Sequence, residues 1–267
     1  MQPRSEGSQR CLTFQVTVTP RTRVHTYRDY LGNAVHHFDV PSAHRHLMIV
    51  AEATVDVAPP PSVPLGLGND AWGQLDVQLA GGDFWEMLTP SQFSQWTDAM
   101  DMFATELSLP AAPEARLRDP FALLMQVNSA VYQAISYVPK STRVDSPVDD
   151  ALRNRQGVCQ DYSHIMLALV RRMGIPCRYV SGYLFHKSGE QVRSTEGATH
   201  AWVEAYVPEI GWVGFDPANR ICPTEAYIRT SIGLDYWSAA PVRGLRRGVA
   251  EESLAVTVTV QRAGAEQ

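Results

Sequence analysis

A cysteine, a histidine and an aspartate stand where thiol chemistry is feasible. In "GVCQDYSHIMLALVRRMGIP", residues 157–176, Cys159 falls at the point where a loop gives way to an amphipathic segment. A helix start is a distinctive place for a thiol, because unpaired N–H groups and the positive end of the helix dipole stabilise a thiolate. The same place also suits a small buried hydrophobe, and free cysteines are among the most buried residue types. A nucleophile needs a base, so the choice between the two readings rests on what else the chain supplies.

The candidate base lies in "THAWVEAYVPEIGWVGFDPAN", residues 199–219. Strand alternation puts His200, Trp202, Glu204 and Tyr206 on one face and Ala201, Val203, Ala205 and Val207 on the other, with Pro208 to Gly211 as a turn. The next strand places Trp212, Gly214 and Asp216 on one face. If the hairpin pairs even positions with even ones, His200 and Asp216 become direct or diagonal neighbours, and a carboxylate can orient an imidazole. A lone strand histidine is usually structural, and a lone Asp before Pro is usually a turn residue. Together with Cys159 they make a nucleophile, a base and an orienter of the base, the set that thiol acyl transfer needs.

Several elements must position this set. Tyr162, Ile165, Met166, Leu169, Val170 and Met173 recur with the spacing of one apolar helix face, Arg171 and Arg172 fall in the last turn, and Gly174 and Pro176 follow as stop signals. "DPFALLMQVNSAVYQAISYV" predicts a second helix. Short strands are expected at "CRYVSGYLF", "HAWVEAYV" and "GWVGFD", and a last one at "SLAVTVTVQ". From Leu12 to about Val57 the residues favour strands, and "APPPSVPLGLGND" then reads as a loop or linker. The expected organisation is a β-rich N-terminal domain over 1–110, a catalytic core over 111–245 and a C-terminal strand within 246–267.

Composition narrows the function classes. A hydrophobic fraction of 45% and a charged fraction of 19% are those of a globular chain, and 267 residues suffice for one large or two ordinary domains. Lys+Arg 23 against Asp+Glu 28 gives a net charge of −5, which offers no attraction to nucleic acid or an anionic membrane. A peptide or protein substrate is the expected partner, and the oligomeric state is left open. Cys11, Cys159, Cys177 and Cys222 lack CxxC spacing, so neither a zinc site nor a disulfide framework is indicated. With no apolar signal core in "MQPRSEGSQR" and no run of about 18 apolar residues, a cytoplasmic location is expected.

The order Cys, His, Asp in "GVCQDYSHIMLALVRRMGIPCRYVSGY", "THAWVEAYV" and "GWVGFDPAN" resembles the bacterial transglutaminase-like superfamily, the group often described as cysteine proteases. "VHTYRDYLGNAVHHFDV" is similar to the β-rich N-terminal region that commonly precedes that core. The resemblance implies an α+β, papain-like core with the nucleophile helix packed on an antiparallel sheet, and places the family's catalytic residues on Cys159, His200 and Asp216. It implies no single substrate. Hydrolysis of a peptide or amide bond through an acyl-enzyme is the favoured expectation; transglutaminase-type transfer to an amine and a non-catalytic peptide-binding module are the alternatives. No cofactor is expected. Two departures stand out: the usual opening strand His-x-Thr-x-Tyr-x-Tyr is missing, and in "IGLDYWSAAPVRG" Leu234 stands where the family usually carries arginine.

Other residues fit blander roles. His36, His37, His44 and His46 are dense, but "HRH" in a strand brings no acidic or thiol ligand at a recognised spacing. Asp161 in the first helical turn complements the dipole, His164 reads as a packed or capping group, and Cys177 and Cys222 read as inert thiols. Gln160 and Trp202 are cleft-lining candidates without an oxyanion assignment, for which the backbone N–H of Cys159 is the better donor.

Overall fold

The computed structural model describes residues 1–62, 66–67, 70–186, 193, 197–248 and 253–264. The chain opens with β1 (Gln9–Thr19), β2 (His25–Arg28), β3 (Ala34–His37) and β4 (Met48–Val57). β1 and β4 form an antiparallel ribbon, and β2 and β3 a hairpin whose turn is held by Asp29 Oδ1 accepting from the Leu31 and Asn33 N–H groups at 3.0 and 2.8 Å. His44 and His46 precede β4 instead of lying within it, so the strand geometry expected of "HRH" does not arise.

Helices α1 (Ala71–Ala80), α2 (Trp85–Leu88), α3 (Asp98–Glu106) and α4 (Ala112–Ala115) follow, then α5 (Pro120–Ala134), β5 (Ser136–Tyr137), α6 (Val148–Asn154) and β6 (Gln156–Gly157). The β-rich region therefore ends at Val57, well short of residue 110. Leu75, Met100, Phe103 and Ala115 from the helices that come next enter the same apolar core as the later elements. Burial decides this: each of these helices has one apolar flank, and the large core is where it is covered.

The centre of that core is α7 (Cys159–Arg172), lying on one face of a four-stranded sheet of β7 (Cys177–Leu184), β8 (His200–Val207), β9 (Gly211–Phe215) and β10 (Tyr227–Gly233), in the order β10-β7-β8-β9. A short helix, α8 (Tyr236–Ala239), follows. Ala201, Val203, Ala205 and Val207 of β8 share the core with α7. Gly174, at φ +83°, ends the helix in the left-handed conformation that glycine tolerates.

α7 is buried well beyond its apolar stripe, from Gln160 to Arg171, so its polar groups must find partners inside. Gln160 Nε2 donates to the Val144 carbonyl at 3.1 Å and Ser163 Oγ to the Cys159 carbonyl at 2.9 Å. Arg171 donates to the carbonyls of Met87, Cys177 and Leu234 and, at 2.6 Å, to Ser94 Oγ. One guanidinium thus ties the helix to the segment before α3, to β7 and to the turn after β10. Leu234 takes part through its backbone alone.

The N-terminal segment closes the outer edge of the sheet. Gln9 exchanges two hydrogen bonds with the backbone of Arg229, and Asn33 does the same with Ile232, all four at 2.8 Å. Two carboxamides thereby satisfy an edge strand much as a neighbouring strand would. The expected C-terminal strand joins no ladder among the described residues: over 253–262 Val258 donates one backbone bond to Gly197 at 2.9 Å. Alternation supplies a strand's faces but not its partner. No helix among the described residues is long and apolar enough to cross a membrane.

His164 makes the fold acid-sensitive. It is buried, accepts from the Tyr236 N–H at 3.1 Å and stacks on Phe93 at 5.2 Å and 10°. Burial, opposed by Asp235 and reinforced by Arg171, pushes its pKa down to about 3 from 6.5. The unfolded chain takes up this proton first, so stability falls as pH drops below 6.5, by about 1.4 kcal/mol per pH unit until the folded value is reached. We expect urea titrations at pH 6.5, 5.5 and 4.5 to show this slope in the wild type. His164→Gln, which keeps an acceptor but binds no proton, should flatten it; an unchanged slope would assign the acid sensitivity elsewhere.

Candidate active site

Backbone constraints place the thiol. Asp161 reaches back to accept from the Val158 N–H at 2.7 Å and from Thr142 Oγ1 at 2.5 Å, fixing the turn into α7. A Cβ at residue 157 would lie 2.8 Å from the Asp161 Cβ, so only glycine fits there. Burial raises the Asp161 pKa, and the bonds from Thr142 and Val158 work against that shift. Cys159 follows as the first helical residue, half-buried, with its N–H among the donors that helix geometry leaves without an intrahelical acceptor.

His200 opens β8, opposite Gly182 of β7. A Cβ at Gly182 would come within 2.1 Å of the Ile228 carbonyl oxygen and 2.5 Å of the Trp202 ring, so the absence of a side chain there lets Trp202 lie beside the imidazole, at 6.2 Å and 26°. Nε2 of His200 meets Asp216 Oδ2 at 2.6 Å. Nδ1 is buried and has no hydrogen-bond partner among the described residues. Cys159 lies close enough to contribute to raising the imidazole's pKa. Unliganded sites commonly hold such pairs loosely aligned.

The even-to-even register is realised, with Glu204 opposite Gly214 and Tyr206 opposite Trp212. Continued past the ladder's end, it sets Asp216 diagonal to His200. The Asp216 carboxylate is fully buried. Oδ1 accepts from the Ala218 and Asn219 N–H groups at 2.9 and 3.2 Å, and Oδ2 from Asn219 Nδ2 and the Tyr227 hydroxyl, each at 2.7 Å, besides His200. Asn219 and Tyr227 were not foreseen from sequence. Asn219 carried a weak signal, three residues after an Asp-Pro turn; Tyr227 carried none, because β10 reaches the site only across β7.

The remaining candidates are committed elsewhere or buried. The Gln160 amide is committed to Val144, and Trp202 is 1% exposed. Cys177 is buried, which pushes its thiol up to about 11, and burial likewise raises Cys222. His36 packs on Phe14, and His37 pairs across the hairpin with His25. Among the described residues no three His, Cys, Asp or Glu side chains converge to hold a metal ion.

Burial alone would lower the His200 pKa, but the Asp216 charge and hydrogen bond, with Cys159, raise it to about 10; burial works the other way on Asp216, whose pKa is nonetheless lowered by His200 and its other donors. The imidazole's share of stability is complete below its ordinary 6.5 and lost as pH rises through about 10; the carboxylate's is present above 3.8 and lost as pH falls below it. NMR titration should accordingly find the wild-type His200 ring charged from pH 5 to about 9. Asp216→Asn should bring its midpoint down; an unmoved midpoint would mean that the ring owes its charge to another group.

Residues 111–217 match the Transglutaminase-like superfamily and residues 1–56 the Bacterial transglutaminase-like N-terminal region. An uncharacterized protein of Mycobacterium leprae is 32% identical over 97% of this chain and 89% of its own length, and one of Mycobacterium tuberculosis is 31% identical over 91% and 79%. A protein-glutamine gamma-glutamyltransferase of Pseudomonas aeruginosa is 32% identical over 47% of this chain but only 20% of its own. Among solved structures, a Cytophaga hutchinsonii protein provisionally described as a cysteine protease superposes with a TM-score of 0.66 at 24% identity, covering 90% of this chain and 76% of the other, which establishes a shared fold. The chain belongs to the transglutaminase-like superfamily.

Proposed function

We propose that the protein is a thiol-dependent amidase or peptidase that works through Cys159, His200 and Asp216. The observation that carries this reading is the arrangement of His200, with one ring nitrogen held by a buried carboxylate and the other left to a thiol at a helix start. His200 Nδ1 holds the proton given up by Cys159 Sγ, and the sulfur attacks the amide carbonyl carbon. The Cys159 N–H donates to the oxygen as it gains charge. The imidazolium returns its proton to the departing amine, leaving a thioester. Water, deprotonated by the same Nδ1, then releases the acid and the free thiol. Asp216 fixes the ring and stabilises its charged form throughout.

Transfer to an amine in place of water is the second reading, favoured by the similarity to the Pseudomonas glutamyltransferase. The two share every step up to the thioester. The substrate is a peptide or protein in both, and four unpaired thiols suit a reducing, cytoplasmic setting.

Incubation with a peptide library, with and without a primary amine, separates these readings by product mass. Hydrolysis yields cleavage products or a gain of about 1 Da from deamidation; transfer adds the mass of the amine less ammonia. Cys159→Ser should melt at the wild-type temperature and lose about 10³-fold or more in turnover. Full turnover in that variant would remove Cys159 from the mechanism.

A further inference from the structure

Beside the proposed catalytic set lies a pair of arginines that its chemistry does not use. Arg193 donates its backbone N–H to Asn219 Oδ1 at 2.6 Å, and Asn219 in turn holds Asp216. Its guanidinium lies 3.7 Å from the centre of the Tyr132 ring and donates to the Tyr132 carbonyl at 3.2 Å. It also acts on the Tyr162 hydroxyl, one helical turn beyond Cys159, lowering a pKa that burial raises to about 12. Arg220 brings a second guanidinium to within 5.4 Å of the same ring. Its backbone, at φ +58°, is in the left-handed region that a residue other than glycine keeps only when its surroundings impose it, and its N–H donates to the Asp216 carbonyl at 2.7 Å.

We propose that Arg193 and Arg220 form a carboxylate-binding subsite, so that the substrate carries an acidic group close to the amide under attack. Among the described residues no carboxylate pairs with either guanidinium, although the chain as a whole is net negative. Two like charges gathered at one ring are relieved by an anion, and guanidinium N–H groups match a carboxylate's oxygens. Arg193 spends one N–H on the α5 terminus and keeps others; the exposed Arg220 side chain makes no hydrogen bond among the described residues. Both are tied through their backbone N–H groups to the Asp216 loop, so the acidic group lies on the part of the substrate next to the scissile amide.

The proposal rests on the amidase reading for its substrate, and binding tests it separately. Cys159→Ala protein is titrated with short dye-labelled peptides that differ only in Glu, Gln or Lys at one scanned position with an amidated C-terminus, and with an all-neutral peptide ending in a free carboxylate. We expect the Glu peptide, or the free-carboxylate peptide if the group is a chain terminus, to bind about 10-fold tighter than its neutral partner, and the gap to shrink with salt. Arg220→Gln should abolish the gap, and Arg220→Glu should turn it in favour of Lys. Arg193→Gln should reduce it, with circular dichroism confirming the fold. Equal binding of acidic and neutral peptides, or binding of none, overturns the subsite. In the protein with Cys159 intact, Arg220→Gln should lower kcat/KM on acidic peptides alone. Charge-selective binding without turnover would sink the amidase reading and leave the subsite standing, whereas turnover without charge selectivity would do the reverse.

Discussion

The fully buried carboxylate of Asp216 is the constraint on which the site depends. A charge taken out of water persists only when it is paired and hydrogen-bonded. Here the imidazole of His200, the Tyr227 hydroxyl, the Asn219 amide and two backbone N–H groups share that duty. These donors come from three stretches of the fold, namely the start of β8, the loop after β9 and the start of β10. Meeting one carboxylate's demand therefore fixes where three segments end, and the ring that results carries a free nitrogen on its other side.

The helix that supplies the thiol is constrained in a parallel way. α7 could not be buried on nearly every side unless its polar residues were satisfied, and Gln160, Asp161, Ser163, His164 and Arg171 all are. The consequence is a helix with little freedom to slide, which holds Cys159 in register with the first residue of β8. On the opposite face of the sheet, Arg178 donates to Glu204 and Glu6 at 2.8 and 2.9 Å, and Arg229 donates to Glu204 at 3.0 Å. Arg178 and Glu204 are buried, and removal of one member of a buried pair costs about 3–5 kcal/mol because the other is stranded. This network and the carboxamides of Gln9 and Asn33 fasten the N-terminal segment to the strands that carry the site.

Much of this was legible in the sequence, because it depended on local periodicity. The apolar spacing from Tyr162 to Met173 set the helix and therefore the place of Cys159 at its start. The alternation from His200 to Val207, with a glycine at the following turn, set a hairpin whose even register brings His200 and Asp216 together. The motifs around those residues pointed to the family, and the family carried the core architecture with it. Both lines of inference use information held within a few consecutive residues.

What the tertiary structure alone decided depends on partners distant in the chain. The C-terminal stretch alternates like a strand yet joins no ladder among the described residues, since alternation does not specify an edge to join. The helices after Val57 belong to the large core because apolar surface there needed cover, which a reading of one segment at a time does not register. Asn219 and Tyr227 serve the buried carboxylate only because β10 runs beside β7. Arg193 and Arg220 meet at one aromatic ring only because α5 ends beside the Asp216 loop. Sequence determined the chemical identities and local spacing of the thiol, imidazole and carboxylate; folding decided their hydrogen-bond partners and surroundings, because a buried charge is satisfied by whatever donors the packing brings within reach.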